Sequence, residues 1–223
     1  MPTLRPMAVL LDLDGTLLDT VQFILDSVSY AFAGRTRRPT EAEWLAHIGT
    51  PLRVLLTHYT DGPEDLEQVT TRYRAYQREH HDLRTRPYAG AVEAVRALKE
   101  RGHPVAIVTG KGRESAGRAL ACVGLTPFVD AIIGADSCPG HKPDPEPVLL
   151  ALERVGRAPE EAVFMGDSVL DVLSGNAAGV PTVAALWGAS EREALEQAGP
   201  GFLLEDVSEL PELVERLERT RAG

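Results

Sequence analysis

The sequence predicts an α/β fold, a doubly wound parallel sheet with an inserted all-helical block, and three observations predict it. Apolar runs of strand length alternate with amphipathic helical stretches from Pro87 onward, the signature of βαβ units. A first apolar run, Ala8-Val9-Leu10-Leu11, stands apart near the amino terminus and reads as a strand buried on both faces. From about Thr20 to Arg84 no strand pattern occurs, so that stretch is expected to be a helical insert after the first strand.

The elements follow in order. Val21, Ile24, Leu25, Val28 and Phe32 share one helical face, and Gly34 with the Arg/Pro stretch to Pro39 ends that helix. Thr40 followed by Glu43 fits a capping box and opens a short helix through Trp44 and Ile48. Gly49-Thr50-Pro51 interrupts it, Leu52 to Tyr59 reads as a further helix, and Asp61-Gly62-Pro63 as a turn. A long polar helix runs from Glu64 to near Leu83, with Leu66, Val69, Tyr73, Tyr76 and His80 at helical spacing. Ala91–Arg101 is amphipathic and closed by Gly102, and Pro104–Val108 is a buried strand leading into Thr109-Gly110-Lys111. Helix Glu114–Val123, strand Val129–Gly134 and helix Pro147–Val155 come next, the last two separated by the loop Gly140–Pro145. Strand Ala162–Met165 ends at Gly166-Asp167, before helix Leu170–Ala178 and strand Val180–Leu186. Residues 190–198, a short strand at Phe202–Leu204 and helix Pro211–Arg219 complete the chain.

A length of 223 residues suits one domain or a domain carrying an insert, and an apolar fraction of 43% is ordinary for a globular protein. The net charge of −10 argues against nucleic acid or an anionic membrane as partner, and Arg35, Arg37 and Arg38 form only a short cluster that reads as a solvated loop. Cys122 and Cys138 match no metal or CxxC pattern and suggest free thiols in a reducing compartment. The stretch Met1–Met7 lacks the apolar core of a signal peptide, and no run approaches the ~20 residues of a membrane span, so a cytoplasmic location is expected. Lysine occurs only at 99, 111 and 142; every other basic residue is arginine.

Polar groups cluster at the ends of the apolar strands. Asp12 and Asp14 stand at alternate positions after the first strand, where an extended chain would point both carboxylates at one place on the carboxyl edge of the sheet, the edge where open α/β sheets bind ligands. Two like charges there call for a cation or a shared proton, and a hard, oxygen-seeking ion such as Mg²⁺ is the simplest relief. Thr109 ends the second strand, and Gly166-Asp167-Ser168-Val169-Leu170-Asp171 places two further acids at a helix start. Each has a plainer reading alone: an Asx turn at Asp12/Asp14, a strand end at Thr109, helix capping at Asp167 and Asp171, an exposed loop cation at Lys142. Their conjunction in this order is far more specific than any member.

With these residues in view, the chain resembles the haloacid dehalogenase-like hydrolases. The first motif reads Asp12-Leu13-Asp14-Gly15-Thr16, the second is Thr109, the third Lys142-Pro143, and the fourth Gly166–Asp171. The resemblance spans the whole chain, because the insert matches the small helical cap of the branch holding phosphoglycolate phosphatases and pyrophosphatases. It implies a Rossmann-like core of residues 1–16 and 86–223 and a cap of residues 17–85. It implies Asp12 as nucleophile, Asp14 as general acid/base, Mg²⁺ held by Asp12, the Asp14 carbonyl and Asp167, phosphate bound by Thr109 and the Gly110 amide, Lys142 as a point charge beside Asp12, and Asp171 in support. The dehalogenases proper lack the acid at the position of Asp14, which this chain has. The expected activity is hydrolysis of a small anionic phosphomonoester through an aspartyl-phosphate. Alternatives are hydrolysis of a phosphoanhydride (pyrophosphate or a nucleotide), a sugar-phosphate mutase, or a non-catalytic phosphate binder. The expected partner is a small phosphorylated metabolite, for a monomer or homodimer. In the cap, Thr50 and Arg53 after the Gly49 break are expected to bind the substrate's leaving group with the helix start that follows.

Overall fold

The protein is seen as a computed structural model that describes residues 5–222; the expectation for Met1–Met7 falls partly outside them. Strand β1 (Ala8–Leu11) is followed by four helices, α1 (Val21–Ala31), α2 (Glu41–Leu45), α3 (Leu52–Thr57) and α4 (Pro63–Arg84). Then come α5 (Ala91–Glu100), β2 (Val105–Val108), α6 (Arg113–Cys122), β3 (Ala131–Ile133) and α7 (Glu146–Val155). The chain ends with β4 (Ala162–Gly166), α8 (Val169–Ala177), β5 (Thr182–Ala185), α9 (Arg192–Gln197), β6 (Phe202–Leu204) and α10 (Leu210–Ala222).

All six strands are parallel, in the order β3-β2-β1-β4-β5-β6. β1 therefore lies at the centre, with the chain winding outward to β2 on one side and to β4 on the other. Every residue of β1, β2, β4 and β5 is buried. Alternation explains why their sequences carry no polar face. Val9, Leu11, Val105, Ile107, Val163 and Met165 pack into one layer with α5, α6 and α10, while Leu10, Ala106, Val108 and Phe164 pack into the other with α7.

The insert has its own core, in which Ile24, Val28, Phe32, Trp44, Leu56 and Val69 are buried. Tyr73 packs against this cluster from its edge, whereas Tyr76 stacks on His80 at 4.2 Å and lies 5.1 Å from Tyr30. The Thr40/Glu43 capping box forms as expected, but α2 stops at Leu45 instead of reaching Ile48. The two segments that join insert to core are stitched together, with Asp19 N–H donating to Arg86 O at 2.9 Å and Tyr88 N–H to Leu17 O at 3.0 Å. Strand β3 begins at Ala131, later than the apolar run suggests, because a single 3₁₀ turn occupies Thr126–Phe128. No helix of the described residues is long and apolar enough to cross a membrane.

Phe164, 1% exposed on β4, anchors the α7 side of the sheet. Phe164→Ala should cost about 3–5 kcal/mol in urea unfolding.

Candidate active site

The parallel register sets the site. Leu11 lies opposite Ile107 and Met165, so β1, β2 and β4 end at one level and the residues after them meet. Asp12 follows β1 and donates its N–H to Met165 O at 2.9 Å; Thr109 follows β2, and Asp167 follows β4. The order of strands reverses beside β1, the position where such sheets open a crevice.

Lys142 is the hub. It is 2% exposed, and its ammonium donates to Asp12 Oδ1 at 2.6 Å, Asp171 Oδ1 at 2.5 Å and Val108 O at 3.3 Å. Three acceptors use all three protons. Asp171 is fixed by its place in α8: Ser168 caps that helix, and the Ser168 hydroxyl and N–H donate to Asp171 Oδ2 at 2.5 and 3.0 Å. Both Asp171 oxygens are thereby engaged by hydrogen bonds. Asp167 accepts from the Thr16 hydroxyl on Oδ1 at 2.7 Å and from Ala189 N–H on Oδ2 at 2.8 Å. Glycine is required around it. A Cβ on Gly15, whose φ is +85°, would lie 2.1 Å from Asp167 Oδ2, and a Cβ on Gly188 would lie 2.1 Å from Asp167 Cβ.

The charges do not balance within the chain. Asp12, Asp167 and Asp171 are all buried and bring carboxylate oxygens within 4.8 Å of one another, with Lys142 as the ammonium among them. Burial, partly offset by Lys142 and reinforced by Asp171 and Asp167, drives the Asp12 carboxyl well above the usual range. Burial and the Asp171 charge push Asp167 up to about 7, against the hydrogen bonds from Ala189 and Thr16. Burial works against the Lys142 ammonium too, but Asp12 and Asp171 overcome it and hold Lys142 above the ordinary lysine value. An all-oxygen set with excess negative charge fits a hard divalent cation, and Mg²⁺ satisfies it.

Asp14 is placed differently from the period-two expectation. Its carboxylate does not join the Asp12 cluster but accepts from Lys111 Nζ at 2.8 and 2.6 Å and from the Thr20 hydroxyl at 2.6 Å. The strand ends at Leu11 and the chain turns, with Leu17 and Leu18 N–H both donating to Leu13 O, so alternation no longer aims the side chains. Lys111 was not assigned a role from sequence; its only signal is that it is one of three lysines in a chain that otherwise uses arginine. The loop after β5, which supplies Gly188, Ala189 and a Trp187 Nε1–H bond to Thr16 O at 3.0 Å, was likewise missed.

The insert closes over this edge. A Cβ on Gly110 would lie 2.3 Å from Gly49 O and 3.3 Å from the Thr50 carbonyl carbon, and one on Gly49 would lie 3.7 Å from Lys142 Nζ. Thr50 and Gly110 are thus brought together beside Lys142. The cavity between them, lined by Gly49, Pro51, Thr109, Gly110, His141 and Lys142, measures about 10 Å³, the room of about one water. Arg53 is not among its lining residues. It pairs with Glu67 at 2.7 Å on the half-exposed surface of the insert, and α3 is only six residues long.

The fold and the site define a hydrolase with a buried carboxylate–lysine centre at the switch point of a parallel sheet. Residues 9–185 match the model of the haloacid dehalogenase-like hydrolases, and the chain belongs to that family. It is 35% identical over 206 residues to "Pyrophosphatase PpaX" of Bacillus pumilus, covering 92% of this chain and 95% of that one. The protein of the same name from Halalkalibacterium halodurans is 35% identical over 210 residues, with 92% and 95% covered. Among solved structures, a predicted phosphoglycolate phosphatase from Haemophilus somnus shares the fold with a TM-score of 0.85 at 22% identity, over 95% of this chain and 99% of that one.

Lys142→Met leaves Asp12 and Asp171 buried without their ammonium. It should lower stability in chelator by about 3–5 kcal/mol, read by denaturant unfolding.

Proposed function

We propose that the protein is a Mg²⁺-dependent phosphatase acting through an aspartyl-phosphate on a small phosphate compound with an anionic leaving group, pyrophosphate foremost. The observation that carries the reading is the Asp12–Lys142–Asp171 chain of charges beside Asp167 at the mouth of β1.

Asp12 is the nucleophile: its Oδ1 is held by Lys142, which fixes the carboxylate against rotation. Thr109 and the Gly110 amide hold the phosphate opposite it. Asp14, beside Asp12 in sequence and outside the carboxylate cluster, passes a proton to the leaving oxygen and takes one from the attacking water. Asp12 and Asp167, with the Asp14 carbonyl, would hold Mg²⁺, which neutralises phosphoryl oxygens when bound. The insert serves as the cap: closed, it excludes bulk water; substrate entry requires it to lift, because the cavity left is about 10 Å³.

Two considerations favour pyrophosphate over the phosphomonoester. Lys111 stands on Asp14, the side from which the leaving group departs, and supplies a cation to a departing phosphate. Relatives named pyrophosphatase align with nearly the full chain.

Asp12→Asn should abolish turnover of pyrophosphate and of an aryl phosphate alike, while Asp14→Asn should slow it by roughly 10²–10⁴-fold. Near-normal activity in Asp12→Asn would refute the mechanism. Mg²⁺ at about 100 times its Kd should raise stability by about 2.7 kcal/mol, and Asp167→Asn should lose that gain. Thermal unfolding with and without Mg²⁺ reads this without any substrate.

Lys111→Met should cost roughly 1.5–3 kcal/mol in kcat/KM for pyrophosphate and much less for an aryl phosphate, whose leaving group carries no second phosphate. Equal losses on both would reduce Lys111 to a partner of Asp14 alone.

A further inference from the structure

The loop after β5 touches the buried acids and the insert within a few positions. Ala189 N–H donates to Asp167 Oδ2 at 2.8 Å, and Ser190 N–H donates to Asp167 O at 3.3 Å. The half-buried side chain of Ala189 packs against the apolar core of the insert, and among the described residues it is the one member of that cluster from outside the insert. Gly188 admits no side chain, so the backbone of the loop lies directly on Asp167. Trp187 holds the other end: its Nε1–H donates to Thr16 O at 3.0 Å, and its ring meets Tyr88 edge-on at 6.3 Å. Thr16 in turn donates its hydroxyl to Asp167 Oδ1 at 2.7 Å. Asp167, Ala189, Trp187 and Thr16 thus form a closed ring of contacts. Each Asp167 oxygen is aimed by a member of it, and a carboxylate gripped on both oxygens keeps one orientation.

Resting on the Mg²⁺ reading above, we propose that Ala189 is a positioning residue for Asp167 that ties the metal site to closure of the insert. Its N–H aims the carboxylate, and its methyl, seated against the insert's core, steadies that N–H only while the insert is closed. Ala189 touches no substrate and acts through Asp167. The two tasks fall on different atoms. Any residue except proline offers the N–H, whereas the apolar contact needs the methyl. Coupling of this kind is reciprocal: closure strengthens Mg²⁺ binding by the factor by which Mg²⁺ favours closure.

The separation of tasks allows a test that changes the methyl and keeps the N–H. Mg²⁺ is titrated calorimetrically into the full chain and its variants, with Asp167→Asn as the control that removes the ligand. Ala189→Gly should bind Mg²⁺ about 5- to 10-fold more weakly, from one lost methyl contact and the added backbone freedom of glycine. Ala189→Ser keeps the Cβ and should bind close to the unmodified chain. Circular dichroism in chelator should show both variants folded. Hydrogen exchange then reads what a merely structural role would not move. Saturating Mg²⁺ should slow amide exchange across residues 49–54, where the insert meets the core, in the unmodified chain and in Ala189→Ser but not in Ala189→Gly. Unchanged Mg²⁺ affinity in Ala189→Gly, equal weakening in Ala189→Ser, or exchange at residues 49–54 indifferent to Mg²⁺ in the unmodified chain would each overturn the role of Ala189 while leaving the Mg²⁺ reading intact. Failure of the unmodified chain to bind Mg²⁺ would overturn both.

Discussion

The ammonium of Lys142 between Asp12 and Asp171 is the interaction on which the rest of the site depends. All three groups are at most 4% exposed. Moving such charges out of water costs several kcal/mol each, and the attraction between them repays this only with good geometry and full hydrogen bonding. The structure meets that condition in detail. Lys142 spends every proton, Asp171 spends both oxygens, and Ser168 secures Asp171 through the cap of α8. The same demand explains why glycine flanks the acids. A Cβ on Gly166 would lie 2.3 Å from the Asp171 side chain, so the turn from β4 into α8 can bring that carboxylate to Lys142 only without one. Asp167 adds a carboxyl whose burial beside Asp171 pushes its pKa up to about 7, a penalty that a proton or a cation relieves.

Closure of the insert follows from a second absence of side chain. Gly110 lets the Gly49 carbonyl come down onto the loop after β2, and Gly49, at φ +93°, lets the turn reverse beside Lys142. The insert is held together by its own core and joined to the sheet edge by two stitched connections.

Much of this was legible in the sequence, for physical reasons that differ by element. The strands were readable because a parallel sheet covered on both faces leaves no polar alternation, as in Ala8–Leu11 and Ala162–Met165. The insert was readable because more than one helical face recurs with no strand between. Asp12, Thr109 and Asp167 could be placed together because strand ends converge in any such sheet, whereas Lys142, in the loop before α7, and Asp171, inside α8, were picked out by the family resemblance. What failed to show was whatever depends on the turns after those ends. Asp14 leaves the Asp12 cluster because the chain curls back at Leu13, which no period predicts. Arg53 turns to Glu67, fourteen positions on, because α3 and α4 pack side by side. The loop at Trp187–Ala189 carries no charge, and it reaches Asp167 through a backbone N–H, which any residue except proline offers.

The choice between lysine and arginine ties these points together. Away from the site the chain pairs its acids mostly with arginine, as in the two-pronged contact of Arg35 with Asp65 at 2.7 and 2.5 Å, with Lys99 on Asp130 the lysine exception. A guanidinium is planar and presents its donors in a fixed fork, which suits one carboxylate met face to face. At Lys142 the acceptors are two separate carboxylates and a main-chain carbonyl arranged around a point, and no planar fork addresses three such directions. At Lys111 the ammonium sits against Asp14 with 18% of its side chain exposed. The two lysines thus divide the paired acids of the first motif between them: one fixes Asp12 in the interior, and the other attends Asp14 at the opening.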